Sequence, residues 1–449
     1  MATDPARPAA DRSTRRRLYA AGAVGTTLEW YDFAIFGTMA ALIFDELFFP
    51  DLDPAVGTIA AFATFAAGFV ARPLGGLVFS HYGDRLGRRG AMVASMMLMG
   101  VATAGMGLLP TYASIGIAAP ALLTVLRFGQ GLALGGEWGS SAALLVEHAP
   151  DGERGSYSRW VQFGGVLGPL LAMITVVALS LGLSEAQFEG WGWRLPFLFS
   201  AVLVVAGLYL RRTLPEAPDF EPAHDGDGRS GLPVMDAIRN QPRSLALVFF
   251  MHIASSTIAF TVAVYVLSYT TDELGMDRDA VLMLGILVMA VMVWPSMQVS
   301  RISDRLGRRP LFLTGSLLLA AIAFPFFWLL DTRNLALIGV ALLLGSVTNA
   351  IMYMTGGVFF MELFPAEYRA SGASLAVQAA TVVAGGTAPM IAASLLAWSG
   401  GESWAISAYL LVIALVASAA AFLAPETAHT PAAAEVERGA GAPAAVTGV

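Results

Sequence analysis

GDRLGRR at residues 83–89 and SDRLGRR at 303–309 are one short loop written twice. Each copy sits between two long apolar runs. A bias of arginine toward one side of a membrane would place basic residues there. It would not call for an aspartate in the midst of them, nor repeat D-R-L-G-R-R in order. The loop therefore marks a duplicated unit, and other markers keep step with it. Asp84 matches Asp304 at an offset of 220, Glu147 matches Glu362 and Arg154 matches Arg369 at 215, and Pro215-Glu216 matches Pro425-Glu426 at 210.

The composition says where such a unit resides. Of 449 residues, 56% are hydrophobic and 13% charged, against about 25% charged in soluble domains. Apolar stretches of roughly 20 residues, each long enough to cross a bilayer as a helix, recur throughout. They are continuous rather than alternating, which excludes a β-barrel. Twelve spans are expected, at about 18–44, 56–80, 90–109, 117–146, 158–182, 195–212, 245–270, 280–300, 310–329, 335–361, 371–397 and 404–424. The chain thus reads as an all-α membrane protein. Its twelve transmembrane helices form two six-helix halves related by pseudo-twofold symmetry along the membrane normal.

All 26 basic residues are arginine, and 21 fall on one side of this layout against Arg194, Arg278 and Arg333 on the other. Arg72 and Arg127 lie inside spans. The bias puts both termini in the cytoplasm of a multi-pass protein of the plasma or inner membrane. The expected organisation is a cytoplasmic tail (1–17), a first half (18–212), a cytoplasmic linker (213–244), a second half (245–424) and a disordered cytoplasmic tail (425–449). The linker is rich in Pro, Gly and Asp, as in PEAPDFEPAHDGDGRSGLP, and the last tail in Ala, Pro, Gly and Glu.

Absences bound the chemistry. There is no cysteine, and the five histidines at 81, 148, 224, 252 and 429 show no metal-ligand spacing. No catalytic cluster, channel filter or large soluble sensor domain is visible. The chain is not expected to be an enzyme, to hold a metal or cofactor, or to bind nucleic acid.

Charge inside a membrane is costly and usually functional. Glu29, Asp32, Arg72, Arg127 and Glu137 are the candidates, all in the first half. The second-half spans offer neutral polar groups instead, among them His252, Gln298, Asn349, Tyr353 and Gln378. At about 1.5 Å per residue, Asp32 and Arg127 reach similar near-central depths, and Arg72 and Glu137 share the inner half. The possible pairs are therefore Asp32 with Arg127 and Arg72 with Glu137; the second pair could hold helices together or hold substrate. Asp32, with Arg127 as partner, is the first choice for proton coupling. Glu29, one turn away on the same face, is the second. Arg72, Arg127, Tyr31, Glu137, His252, Asn349, Tyr353 and Gln378 are candidate substrate contacts, with Trp30 and Tyr265 as further aromatics that could line a cavity.

The repeated loop resembles the loop between helices 2 and 3 of the major facilitator superfamily. GTTLEWYDFAIFG (25–37), ARPLGGLVFSHYGDRLGRR (71–89), GQGLALGGEWG (129–139), WGWRLPFLFS (191–200) and ELFPAEYRASGASLAVQ (362–378) narrow this. Together they resemble the metabolite:proton symporter family, whose members take up shikimate, 2-oxoglutarate, citrate, proline or betaine. The shikimate-type branch is the most similar, and the likeness weakens across spans 7–10. The resemblance implies a cytoplasmic gate in which Gly83, Asp84, Gly87 and Arg88 meet Glu147 and Arg154. Asp304, Arg308, Glu362 and Arg369 would form its counterpart. One stretch departs: GGVLGPLLA (164–172) partly resembles the Gly-Pro motif of drug:proton antiporters, although its glycines also suit close helix packing.

The expectation is a monomeric secondary transporter that imports a small organic acid with a proton by alternating access, driven by the proton gradient. Uptake of a zwitterionic osmolyte is the alternative, and drug:proton antiport a more distant one.

Overall fold

The computed structural model describes residues 12–86, 88–135, 154–212, 233–365 and 368–428. Among them every regular element is helical. The long helices are α1 (Arg12–Leu42), α2 (Pro54–Leu86), α3 (Arg88–Leu108), α4 (Ala118–Leu134), α5 (Arg154–Gly182) and α6 (Arg194–Arg212). They continue with α7 (Pro242–Glu273), α8 (Arg278–Leu306), α9 (Arg308–Asp331), α10 (Leu335–Glu362), α11 and α12 (Trp404–Leu423). Helix α11 runs as Arg369–Ala380, a π-helical turn over Thr381–Gly385, and Ala388–Trp398. Among the described residues eight helices are long and apolar enough to cross a membrane, and Ala94–Leu108 and Ala118–Leu134 are shorter apolar helices.

Three boundaries differ from expectation. Helix α1 begins at Arg12, so the Arg15–Arg17 run is helical rather than a separate tail; arginine is a good helix former. The expected linker contains a helix, Pro233–Asn240, and the first residues of α7. Residues Pro425–Ala428 fold back on the start of α9, where Glu426 accepts from the backbone N–H of Arg308 (2.8 Å) and Arg309 (3.1 Å).

Glycine sets how closely the first-half helices approach. A Cβ on Gly75 would lie 1.9 Å from the Leu132 carbonyl oxygen, and one on Gly131 would lie 1.9 Å from that of Gly68. Helices α2 and α4 therefore touch backbone to backbone. Helix α5 meets α1 in the same way, since a Cβ on Gly164 or Gly168 would come within 2.6 Å of the Ala23 or Thr27 carbonyl oxygen. Gly164 and Gly168 thus serve close packing, as their spacing of four allows.

The two halves meet where α1, α2 and α5 face α7, α8, α10 and α11. Helix α7 carries π-helical turns at Thr261–Tyr265 and Tyr269–Glu273, and α11 carries its own at Thr381–Gly385. Such turns break the regular ladder and often lie beside functional sites. Toward the Asp45 end of α1, the gap between the halves is filled by rings. Phe33, Phe65, Phe69 and Phe260 stand 4.9–6.5 Å apart, centroid to centroid, in successive contacts.

Candidate functional site

Between the halves lies a cavity of about 160 Å³, some five times the ~30 Å³ that one water occupies in the liquid. Glu29, Trp30, Phe33 and Arg72 line it from the first half, with Gly165 and Pro169 of α5. His252, Ser255, Ser256, Asn349, Tyr353, Gln378 and Thr381 line it from the second. Expected candidates Arg72, His252, Asn349, Tyr353 and Gln378 therefore meet in one place.

The first-half wall is ionic. Arg72 Nη2 stands 3.1 Å from Glu29 Oε1, with side chains only 7% and 6% exposed. Glu137, the partner expected for Arg72, lies outside the described residues. Helix α1 crosses α2 at the level of Arg72, which puts Glu29 directly opposite. The second-half wall is neutral. Among the described residues, Asn349 Oδ1, Gln378 Oε1 and Ser255 Oγ are buried with no hydrogen-bond partner, as is Arg72 Nε. An unmatched buried polar atom costs about 1–3 kcal/mol, so four around one cavity are groups that a cargo could satisfy. His252 is different: its Nε2 pairs with Thr381 Oγ1 at 3.1 Å and its ring stands edge-on to Phe360. Trp30 stacks on Phe260 at 5.9 Å and meets Tyr353 edge-on at 6.2 Å.

Asp32 lies off the cavity and is 1% exposed. Thr103 Oγ1 donates to its Oδ2 at 3.2 Å, and Ser200 Oγ donates to its Oδ1. Gln130 Nε2 donates to Thr103 Oγ1 at 2.7 Å, and Gln130 Oε1 accepts from Arg127 Nη1. Asp32 and Arg127 are thus joined by a relay of neutral groups. They do not form the direct ion pair expected from depth, because Thr103 and Gln130 occupy the space between them. Arg127 is fully buried and does not line the cavity, so it is corrected as a substrate contact. Among the described residues its Nε and Nη2 have no partner. Its guanidinium lies over Phe33 (4.1 Å), Phe36 (4.3 Å) and Phe65 (4.9 Å). Arg72 also lies over Phe33, at 4.1 Å, so two cations share one ring.

Tyr31 is likewise corrected. Its hydroxyl is turned to Thr175 and Pro196 on α5 and α6, and its ring meets Phe199. Two residues on from Glu29, it projects about 200° round the helix and so faces away from the cavity. Tyr265 stacks on Tyr269 at 5.9 Å, also away from the cavity.

The repeated loop is built as a charge cluster in the second half. Arg308 meets Asp304 at 2.6 Å and Glu362 at 3.3 Å, and donates to Ser303 Oγ. Glu426 caps the N-terminus of α9, and Thr427 Oγ1 donates to Glu362 at 2.7 Å. Gly307 turns the chain at φ 100°, where a Cβ would lie 2.6 Å from Glu426 Oε2. Burial alone would raise the Glu426 carboxyl, but the backbone N–H groups of Ala428, Arg308, Thr427 and Arg309 outweigh it and hold the carboxyl below its ordinary value. Arg369 opens α11. In the first half Gly83 lies on α2. Gly87, Glu147 and the side chains of Asp84, Arg88 and Arg154 lie outside the described residues.

Residues 22–389 match the family model described as Major Facilitator Superfamily. The chain belongs to the Major Facilitator Superfamily. Among its superfamily relatives, the shikimate transporter of Escherichia coli is 37% identical over 426 residues, covering 94% of this chain and 97% of the relative. The inner membrane metabolite transport protein YhjE of Escherichia coli is 39% identical, covering 93% and 96%. The proline/betaine transporter of Escherichia coli is 34% identical, covering 94% and 85%. These are the carriers that the sequence motifs resemble. A solved superfamily member, a D-xylose-proton symporter, superposes with a TM-score of 0.72 at 19% identity, covering 92% of this chain and 98% of its own. That likeness shows the fold. The protein is a multi-pass membrane transporter of this superfamily and not an enzyme.

Sequence reasoning missed Thr103, Gln130 and Ser200, the groups around Asp32. Gln130 had a signal, lying three residues after Arg127 on the same helix face. It also missed Ser255, although Ser255-Ser256 interrupts the apolar run of α7. Glu426 entered only as a repeat marker, although a Pro-Glu pair directly after a span is where an acidic cap on a neighbouring helix could come from.

Proposed function

We propose that this protein imports a small organic acid together with a proton. In this reading twelve spans form two six-helix halves related by an axis along the membrane normal. Both termini and the Asp304–Arg308 loop face the cytoplasm, and the monomer sits in the inner membrane. The observation that carries the reading is the cavity itself: among the described residues, an arginine paired with a glutamate stands opposite Asn349 Oδ1, Gln378 Oε1 and Ser255 Oγ, none of which has a partner. Arg72 suits a carboxylate, and the neutral oxygens suit hydroxyl donors on the rest of the cargo. The names of the shikimate and metabolite relatives agree with this. A betaine's quaternary ammonium has no hydrogen to donate to those oxygens, so within the osmolyte alternative betaine is the weaker fit.

The halves rock about this midplane site. The Arg308 cluster holds the cytoplasmic ends together in one state and parts in the other. The proton gradient drives accumulation through the two carboxylates of α1. Asp32 carries a proton in the transport step, with Arg127 answering through Gln130 and Thr103. No metal or cofactor takes part.

The test is uptake into proteoliposomes from a panel of shikimate, 2-oxoglutarate, citrate, proline and betaine, with and without an inward proton gradient. No uptake of any acid would sink the substrate class, and gradient-independent uptake would sink symport. Asp32→Asn should abolish gradient-driven accumulation and retain counterflow exchange. Normal accumulation by that variant would remove Asp32 from the mechanism.

A further inference from the structure

Among the described residues the cavity offers one arginine to an entering acid, and Glu29 is paired with it. Arg72 Nη2 contacts Glu29 Oε1 at 3.1 Å while Arg72 Nε has no partner. A carboxylate arriving from the cavity therefore meets a guanidinium with one edge taken and a donor free. Among the described residues, the titratable groups that share the cavity with Glu29 are Arg72 of α2, Tyr353 of α10 and, across the cavity, His252 of α7, and helix α5 contributes Gly165, Val166 and Pro169. Asp32 is on the far side of Phe33 with its own donors Thr103 and Ser200.

We propose that the cargo carboxylate and Glu29 exchange on Arg72, and that Glu29, once displaced, takes up a proton as the cargo binds, a protonation separate from that of Asp32. The proposal rests on the organic-acid reading above. Its physics is that two carboxylates cannot both stay ionised beside one guanidinium at low dielectric. The balance is simple. The empty site holds Arg72 as cation and Glu29 as anion. The loaded site holds Arg72 as cation, the cargo as anion and Glu29 neutral, one proton having joined a Glu29 carboxyl oxygen from the aqueous side. For a monocarboxylate such as shikimate the site's net charge is the same empty and loaded, so either form can cross between the two faces without carrying extra charge through the membrane.

The test needs binding rather than transport. Shikimate, 2-oxoglutarate and citrate are titrated in turn into the detergent-solubilised full chain near neutral pH. Calorimetry in buffers of differing ionisation enthalpy then reads the protons taken up. The unsubstituted protein should take up about one proton per acid bound, and Glu29→Gln about none, because linkage requires a group that titrates on binding. Glu29→Gln should also bind the acid severalfold more tightly, its competitor having gone. Glu29→Asp, which keeps a carboxylate, should retain the proton uptake, and it keeps the idea exposed if Glu29→Gln does not fold. Proton uptake that survives in Glu29→Gln, or is lost in Glu29→Asp with binding intact, overturns the exchange and leaves the organic-acid reading standing. No binding of any of the three acids by the unsubstituted protein sinks that reading, and the exchange with it.

Discussion

Gly131→Ala adds one methyl group at a position that touches no cargo, yet it should disable transport. The added Cβ would sit 1.9 Å from the Gly68 carbonyl oxygen and 2.9 Å from Ala71 Cβ. Real Cβ atoms essentially never come closer than 3.0 Å, so α2 and α4 must part by at least 1.1 Å, the difference between 3.0 and 1.9 Å. Neither neighbour can yield alone, because one is backbone and the other is a short side chain on the same helix. A gap of 0.5–1 Å already forfeits about a quarter to a half of each contact's attraction. Overpacking of this kind costs about 1–3 kcal/mol. Arg72 on α2 and Arg127 on α4 move apart with the helices, and both leave their places over Phe33. Gly129, two residues away on α4, is the control. Nothing lies within 4 Å of a Cβ built there, so Gly129→Ala should be neutral or stabilise by up to about 1 kcal/mol through helix propensity. The assay is the apparent melting temperature of each purified variant by intrinsic tryptophan fluorescence, with acid uptake in proteoliposomes. Gly131→Ala should melt several degrees below Gly129→Ala and lose most of its uptake. Equal melting and equal uptake for the two variants would refute the close-packed α2–α4 interface and the placing of the arginines by it.

Two further outcomes follow from the cavity and from the α9 cap. Ser255→Ala, Asn349→Leu and Gln378→Leu each remove an unmatched polar atom, so none should lower the melting temperature of the empty protein. Each should raise the KM for acid uptake about 5- to 150-fold if the cargo satisfies that atom, the equivalent of about 1–3 kcal/mol; unchanged KM in all three would move the cargo elsewhere. Glu426→Ala removes the α9 cap and should cost about 1 kcal/mol at neutral pH. Because the folded carboxyl titrates below its ordinary value, the cap's contribution is complete above that ordinary value and disappears as pH falls through the lower folded one. Melting curves of the parent and of Glu426→Ala should therefore converge on the acid side, and a constant gap down to pH 3 would contradict the assignment.

The doubled loop, the apolar runs and the segregation of arginine made the helical membrane class and the superfamily legible, because lipid leaves the backbone few options. That Glu29, Asp32, Arg72 and Arg127 are buried was also legible, since charges inside apolar spans have little water to reach. Which charge meets which was not. Span lengths give depth along each helix but not its rotation, and rotation is what sets Glu29 before Arg72 and turns Tyr31 away. Thr103 and Gln130 stand between Asp32 and Arg127 for the same reason: they are unremarkable polar residues on helices whose facing a single sequence does not give. The cap by Glu426 joins residues 118 positions apart. Nothing local to either end announces it beyond the repeated Pro-Glu.

The close glycine contacts of the first half divide its charges in an orderly way. Among the described residues the in-span acids, Glu29 and Asp32, ride on α1, which is keyed to α5. Both bases, Arg72 and Arg127, ride on α2 and α4, which are keyed to each other. The boundary between the α1–α5 pair and the α2–α4 pair thus separates an acidic couple from a basic couple. A slide along it by one residue's rise, about 1.5 Å, would disturb the contact at the cavity and the relay behind Phe33 in a single stroke. Two protonation events that are separate on paper would then share one mechanical coordinate. The interlocking of backbones, more than any one acidic residue, would be what keeps proton and cargo in step.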